Sequence, residues 1–234
     1  DYTSLSKISK AIAIIQFKLE GQLIEKHPHY EMDSLRLLHK VDYQNATVEI
    51  DGKRYELNNK VFPTIDPADP YALTPMESAV MDRLQEAFLE SKILQDHIRF
   101  LFFKGSIYKC YNNNLLFHGC MPLNEDGSFM PIMTAEGPMK GKPWFDYAER
   151  VVRQGYFGTP GSPEKERGVD FFWYLWCGYK SPLFGKKKIT TFERCFIEDQ
   201  ATWKEAKNPY YTLMDRVDVV ESIVAEFGLD PKTA

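Results

Sequence analysis

Only four of the 234 residues are cysteines, at positions 110, 120, 177 and 195. They form no C-x-x-C pair and lack the dense spacing of small secreted scaffolds. They therefore predict reduced thiols in a cytoplasm and no zinc knuckle. No apolar run approaches 18 residues and no signal peptide is present, which predicts a soluble protein with no membrane partner. Positive charge is not in excess: 29 Lys and Arg stand against 33 Asp and Glu, for a net charge of −4. A nucleic-acid partner would call for a basic stripe, so composition argues against one. No internal repeat is found. The first residue is Asp, which predicts that the true N-terminus is absent or processed.

What is present is enough for a packed core. A 44% hydrophobic content over 27.2 kDa suits one large domain or two small ones. Ile8, Ala11, Ile12, Ile15 and Leu19 recur at helical spacing and predict an amphipathic helix from about Ser4 to Leu23, ended before His27-Pro28. A second helix is expected over Asp33 to His39. The stretch from Thr47 to Leu57 alternates around Asp51-Gly52, a strong hairpin signal, and reads as a surface decoration. Residues 62–70 are punctuated by Pro63, Pro67 and Pro70 and read as an extended linker.

Thr74-Pro75-Met76-Glu77 combines an N-cap, a proline at the first helical position and a capping-box acid. One long helix is expected from there, with Met76, Val80, Leu84, Phe88, Leu94, Ile98 and Leu101 on one face and Gly105 as its stop. Strands follow from Ser106 to Tyr111 and from Leu115 to Phe117, joined by Asn112-Asn113-Asn114. Asp126-Gly127 marks another turn. Trp144 to Gln154 reads as a helix with Phe145, Ala148, Val151 and Val152 inward, and residues 155–163 as a flexible loop. Asp170 to Cys177 reads as a buried helix. A last helix spans about Val217 to Phe227, with Asp215 near its start and Gly228 as its left-handed stop. Helical and strand periodicities together predict an α+β or α/β fold.

The segment Asn114-Leu-Leu-Phe-His-Gly-Cys-Met-Pro-Leu123 carries the sharpest chemical signal. An apolar run ending in His-Gly reads as a buried strand delivering the His118 imidazole to a crevice, with Gly119 allowing close backbone approach. The alternative is a histidine that merely caps an ordinary strand. His27 and His29 form a His-x-His pair across Pro28, but without a third ligand nearby they read as solvated. His39 and His97 read as surface groups. Lys186, Lys187 and Lys188 suit a sugar phosphate or a hydrated face. Arg194 offers a planar fork to a phosphate or to Glu193 or Glu198. Trp173, Tyr174 and Trp176 suit a sugar platform, though such density favours core. Cys120 is rejected as a nucleophile, because no activating base is evident.

The runs Ala11–Glu20, Lys104–Tyr108, Leu115–Cys120, Trp173–Trp176, Ser181–Lys186, Thr190–Arg194, Lys207–Tyr211 and Ala225–Pro231 together resemble bacterial class III fructose-1,6-bisphosphatases of the binuclear metallophosphatase superfamily. The resemblance implies a calcineurin-like metallophosphatase sandwich with a large, mainly helical insertion. Residues 1–103 would be that insertion with its small hairpin, and residues 104–234 a portion of the core carrying the His118 strand. It further implies a cytoplasmic gluconeogenic hydrolase acting on fructose 1,6-bisphosphate, compatible with a homo-oligomer. Two divalent ions, manganese, would be held in part by His118, with metal-bound hydroxide attacking the 1-phosphate. Lys186, which ends its family segment, and Arg194 would orient the substrate. The family's Asp-x-His-Gly, Gly-Asp-x-x-Asp-Arg-Gly, Gly-Asn-His-Asp and Gly-His-Thr-Pro motifs do not occur in these residues. An internal, catalytically incomplete fragment is therefore expected. A non-catalytic carbohydrate- or partner-binding module built on the aromatic cluster and the 181–194 loop is the alternative.

Overall fold

The computed structural model describes residues 2–232. Its elements run α1 (Tyr2–Lys26), β1 (Val41–Asp42), β2 (Thr47–Ile50), β3 (Lys53–Glu56), α2 (Pro75–Glu90), α3 (Lys92–Lys104), β4 (Tyr108–Tyr111), β5 (Asn114–Phe117), β6 (Ile132–Thr134), β7 (Gly137–Met139), α4 (Gly141–Phe157), α5 (Pro163–Cys177), α6 (Thr191–Phe196), α7 (Tyr210–Leu213) and α8 (Val217–Glu226). Helices dominate, and all the sheets are small and antiparallel: β1-β2-β3, β4-β5 and β6-β7. The chain is thus α+β. It divides into two compact units, Asp1–Asp96 with Thr190–Lys204 and His97–Ile189 with Glu205–Ala234.

In the first unit, α1 buries Ala13, Ile14, Phe17 and Ile24, while Ile8 and Ile12 stay exposed. Of the expected stripe, Ile15 is buried and Leu19 half-buried, whereas Ile8, Ala11 and Ile12 lie on the exposed side, so the spacing finds the core-facing side only in part. Phe17 meets Phe192 and Phe196 of α6 at 5.5 and 6.2 Å, edge-on. Asp33 to His39 is not an α-helix but two 3-10 turns, Asp33–Leu35 and Leu38–Lys40. The β2-β3 hairpin forms as read, with Asp51 and Gly52 both at positive φ, 51° and 76°, as its tight turn requires. It is no decoration: Val48, Ile50 and Leu57 join the same core as α1. The proline-rich stretch is no linker either, since Phe62 and Ile65 pack on that core.

The expected long helix is two helices. Thr74 accepts from the Glu77 N–H and Glu77 reaches back to the Thr74 N–H, closing the capping box of α2. The helix ends at Ser91, which takes an extended ψ of 97° and turns its hydroxyl to the Leu94 N–H, starting α3 afresh. The apolar stripe does not face a core: Met76, Val80, Leu84, Phe88 and Leu101 are all exposed.

The second unit is built on α4 and α5. Trp144, Phe145, Ala148 and Val151 are buried on α4, and Phe171, Tyr174, Leu175 and Cys177 on α5. Gly155 belongs to α4 and not to a loop. A Cβ on it would stand 2.6 Å from the Gly168 carbonyl carbon, so the two helices cross where neither has a side chain. Helix α8 adds Val219 and Ile223, and Phe227 beyond its end meets Phe145 at 5.5 Å.

Candidate functional site

Strands β4 and β5 pair with Tyr108 opposite Phe117 and Lys109 opposite Leu116, around Asn112 and Asn113 at φ 47° and 57°. Tyr108 and Phe117 set their rings on Phe145 of α4 at 6.0 and 5.8 Å. His118 follows the last residue of β5, as expected, and it is exposed. The strand before it is not buried. With one neighbouring strand only, its outer face lies open and Leu116 is 56% exposed. The His-Gly segment therefore sits at the open end of a hairpin packed on one side.

What fixes this end comes from two remote stretches. The Cys120 N–H donates to the Pro182 carbonyl at 2.9 Å, and a Cβ on Gly119 would stand 2.7 Å from that same oxygen, so glycine is needed for the approach. Gly185, at φ 65°, faces the Cys120 side chain. The Asn208 N–H donates to the Gly185 carbonyl at 2.8 Å, while its side-chain oxygen accepts from the Leu123 and Tyr210 N–H groups at 3.1 and 2.9 Å. The Tyr211 hydroxyl reaches the Gly119 carbonyl at 3.4 Å. Segments 115–123, 181–186 and 207–211, distant in sequence, thus knit one support beneath His118. Single-sequence reading missed the roles of Asn208 and Tyr211; the buried-turn residues Asn208-Pro209 were the available signal.

Cys120 is completely enclosed, and burial pushes its thiol up to about 12, which leaves it without a useful thiolate at neutral pH. Lys186 follows Gly185 in this support, and its ammonium donates to Glu205 at 2.8 Å. Arg194 lies in the other unit. Its guanidinium donates to the Thr190 hydroxyl at 3.0 Å and the Trp203 carbonyl at 3.3 Å, and lies 5.7 Å from the centre of the Trp203 ring.

The remaining candidates separate. His27 is buried and stacks on Tyr30 at 4.8 Å, so the expectation of a solvated loop fails for it. Its neighbour His29 is held below the usual histidine range by burial and by the charge of His27. His39 hydrogen-bonds the Tyr71 hydroxyl at 2.7 Å. Tyr174 is core, but Trp176 is 69% exposed and overturns the core reading for that ring. Among the described residues, no three His, Cys, Asp or Glu side chains gather to hold a metal ion. No helix among them is long and apolar enough to cross a membrane.

The support under His118 is made from the same runs that carry a family signature, and comparison identifies that family. Residues 1–234 match the family model of Firmicute fructose-1,6-bisphosphatase. The chain is 49% identical over 227 residues to fructose-1,6-bisphosphatase class 3 of Clostridium novyi, covering 97% of this chain and 34% of that protein. It is 48% identical over 233 residues to the class 3 protein of Alkaliphilus metalliredigens, covering 99% and 35%. For Clostridium acetobutylicum the figures are 46% over 230 residues, 98% and 35%. No solved structure matches. The chain belongs to the Firmicute fructose-1,6-bisphosphatase family. It spans about a third of the length of the curated relatives it matches.

Proposed function

We propose that this chain is part of a fructose-1,6-bisphosphatase that hydrolyses the 1-phosphate of fructose 1,6-bisphosphate to fructose 6-phosphate and phosphate. The observation that carries the reading is the family match along the whole chain at 46–49% identity to class 3 relatives. Under it, residues 104–234 belong to a calcineurin-like sandwich, the enzyme works in the cytoplasm, and two manganese ions supply Lewis acidity when bound.

The residues described here do not by themselves fit such a centre. A metal site takes about three or four protein ligands, whereas His118 offers one imidazole and no set of three ligating side chains gathers among the described residues. No step is therefore derived through the ions. In this reading the chain presents His118 from a rigidly braced hairpin end, and fixes it through Gly119 and Cys120. Lys186 and Arg194 are the candidate substrate contacts. Each already donates to an internal acceptor, Glu205 and the Trp203 carbonyl, and has further N–H groups with which to meet an anion.

The test is phosphate release from fructose 1,6-bisphosphate by the enzyme carrying this chain, with manganese present. His118→Ala should lower the rate by about a hundredfold or more, the usual scale for losing a group that acts in the transition state. A rate unchanged in His118→Ala overturns the ligand role. The second reading, a carbohydrate- or partner-binding module, is favoured by one observation: Val169, Phe172 and Trp176 lie exposed at helical spacing on α5. Sugar or partner binding that survives His118→Ala and is lost in Trp176→Ala would support it.

A further inference from the structure

An open groove of about 940 Å³ runs between α4 and the start of β4 in the second unit, lined among others by Lys104, Lys109, Asp146, Glu149, Arg150 and Arg153. Its acids are already neutralised. Asp146 accepts from the Tyr108 hydroxyl at 2.7 Å and from Lys142 at 2.6 Å. Glu149 accepts from the Ser106 hydroxyl, the Ile107 N–H and Arg153. Arg150 is held by both oxygens of Glu136, and Arg153 spends its remaining donors on the Phe102 and Gly105 carbonyls. Lys104 and Lys109 are left: both are exposed, and neither side chain makes a hydrogen bond or ion pair among the described residues. Two uncompensated ammonium groups over a fixed, charge-balanced wall favour an anion.

A second cavity adjoins the groove and shares Ser106, Glu149 and Arg153 with it. It holds about 280 Å³ and is walled by Leu101, Phe102, Ile107, Val152, Phe172 and Leu183, almost wholly apolar. That is room for about nine waters' worth of ligand, enough for a six-membered aromatic ring. A charged groove opening beside an apolar slot fits a molecule with both characters.

We propose that this pair of cavities is a binding site for a small organic anion of the aryl or alkyl phosphate type, its charge on Lys104 and Lys109 and its apolar body in the slot behind Ser106. Inorganic phosphate satisfies only the lysines. A phosphate ester with a compact apolar group satisfies both halves. The site uses neither His118, Lys186 nor Arg194, so it stands or falls apart from the hydrolytic reading.

The experiment is calorimetric titration of this chain, at low salt and with chelator to exclude metal-dependent hydrolysis, using inorganic phosphate and phenyl phosphate. Phenyl phosphate should bind at least about tenfold more tightly, the ring being worth at least one tenfold step of affinity. Lys104→Gln with Lys109→Gln should weaken phenyl phosphate about tenfold or more. Phe172→Ala should weaken phenyl phosphate and leave inorganic phosphate unchanged. His118→Ala should change neither. Lys7→Gln with Lys60→Gln makes the same change in net charge at exposed lysines elsewhere and should leave binding intact. Any of three results overturns the proposal: equal affinity for the two ligands, equal weakening by the two lysine pairs, or binding lost in His118→Ala. Unfolding midpoints of each variant, matched to the parent, separate lost binding from lost structure.

Discussion

The Lys18 ammonium lies 2.8 Å from the Glu77 carboxylate, with the lysine fully enclosed and the acid nearly so. Lys18 also donates to the Thr64 carbonyl, and Glu77 closes the capping box of α2. One buried pair therefore ties α1, the proline-rich stretch and the start of α2. Removing one partner of such a pair strands a buried charge and costs about 3–5 kcal/mol. Lys18→Met should lower the unfolding free energy of the first unit, read from urea titration, by that amount, and Glu77→Gln added to it should restore most of the loss, since the amide still accepts from Thr74. A double variant no better than Lys18→Met would show that packing, and not the stranded carboxylate, sets the cost.

The same pair gives stability a pH dependence of known sign. Burial works against the charged form of Glu77, but hydrogen bonds from Lys18 and the Thr74 N–H outweigh it and hold the carboxyl below the ordinary 4.5. A depressed folded value means that the contribution is present above about pH 4.5 and is lost as pH falls through the folded value. In Lys18→Met the main opposing bond is gone and burial prevails, so acid should no longer cost stability at this site. Urea midpoints measured from neutral pH down to the acid limb should fall in the parent and flatten in the variant.

The α4-α5 crossing makes a steric prediction. A Cβ at Gly168 would stand 2.3 Å from the Gly155 nitrogen, and the facing atoms are backbone. Neither helix can yield by a rotamer change, so Gly168→Ala should destabilise the second unit by about 1–3 kcal/mol despite the better helix propensity of alanine. A thermal midpoint equal to or above the parent's would mean that the helices can separate without loss.

These residues also show why sequence reading succeeded in places and failed in others. Asp51-Gly52, Asn112-Asn113 and Thr74-Pro75-Met76-Glu77 act through local backbone geometry, so each appears as read. Helix α1 carries Ile8 and Ile12 on one side and Ile14 and Phe17 on another, and spacing alone does not say which faces the core; a lysine at position 18 hides the true stripe. The break at Ser91 is likewise a cap inside an unbroken apolar period. At the candidate site, His118 at a strand end was legible. The openness of its strand was not, because alternation is silent on how many strands stand beside it. The support from Pro182, Gly185 and Asn208 is a matter of tertiary contact, which no local spacing encodes.

Thiol chemistry separates the four cysteines. Cys110 and Cys195 are exposed, and Cys120 and Cys177 are buried. With its thiol pushed up to about 12, Cys120 has almost no thiolate at neutral pH. Ellman's reagent should label Cys110 readily and Cys195 more slowly, burial having raised the latter. Cys120 should react only on unfolding. Fast labelling of Cys120 in the native chain would show that the support beneath His118 opens readily.

Metal binding tests the ligand count most directly. His118 is exposed, and among the described residues no further His, Cys, Asp or Glu groups assemble with it or elsewhere into a set of three. A lone imidazole binds a divalent ion weakly, because affinity comes from several ligands held together. Calorimetric titration of this chain with manganese should therefore give an affinity no better than that of one accessible histidine, and His118→Ala should remove what heat there is. Under the proposed function, the same variant in the metal-loaded enzyme should lower bound manganese. Tight manganese binding by the 234 residues, lost in His118→Ala, would mean that the hairpin end recruits ligands through a rearrangement of its loops. The stretch at His27 and His29 and the turn at Asp126 would then be the places to substitute next.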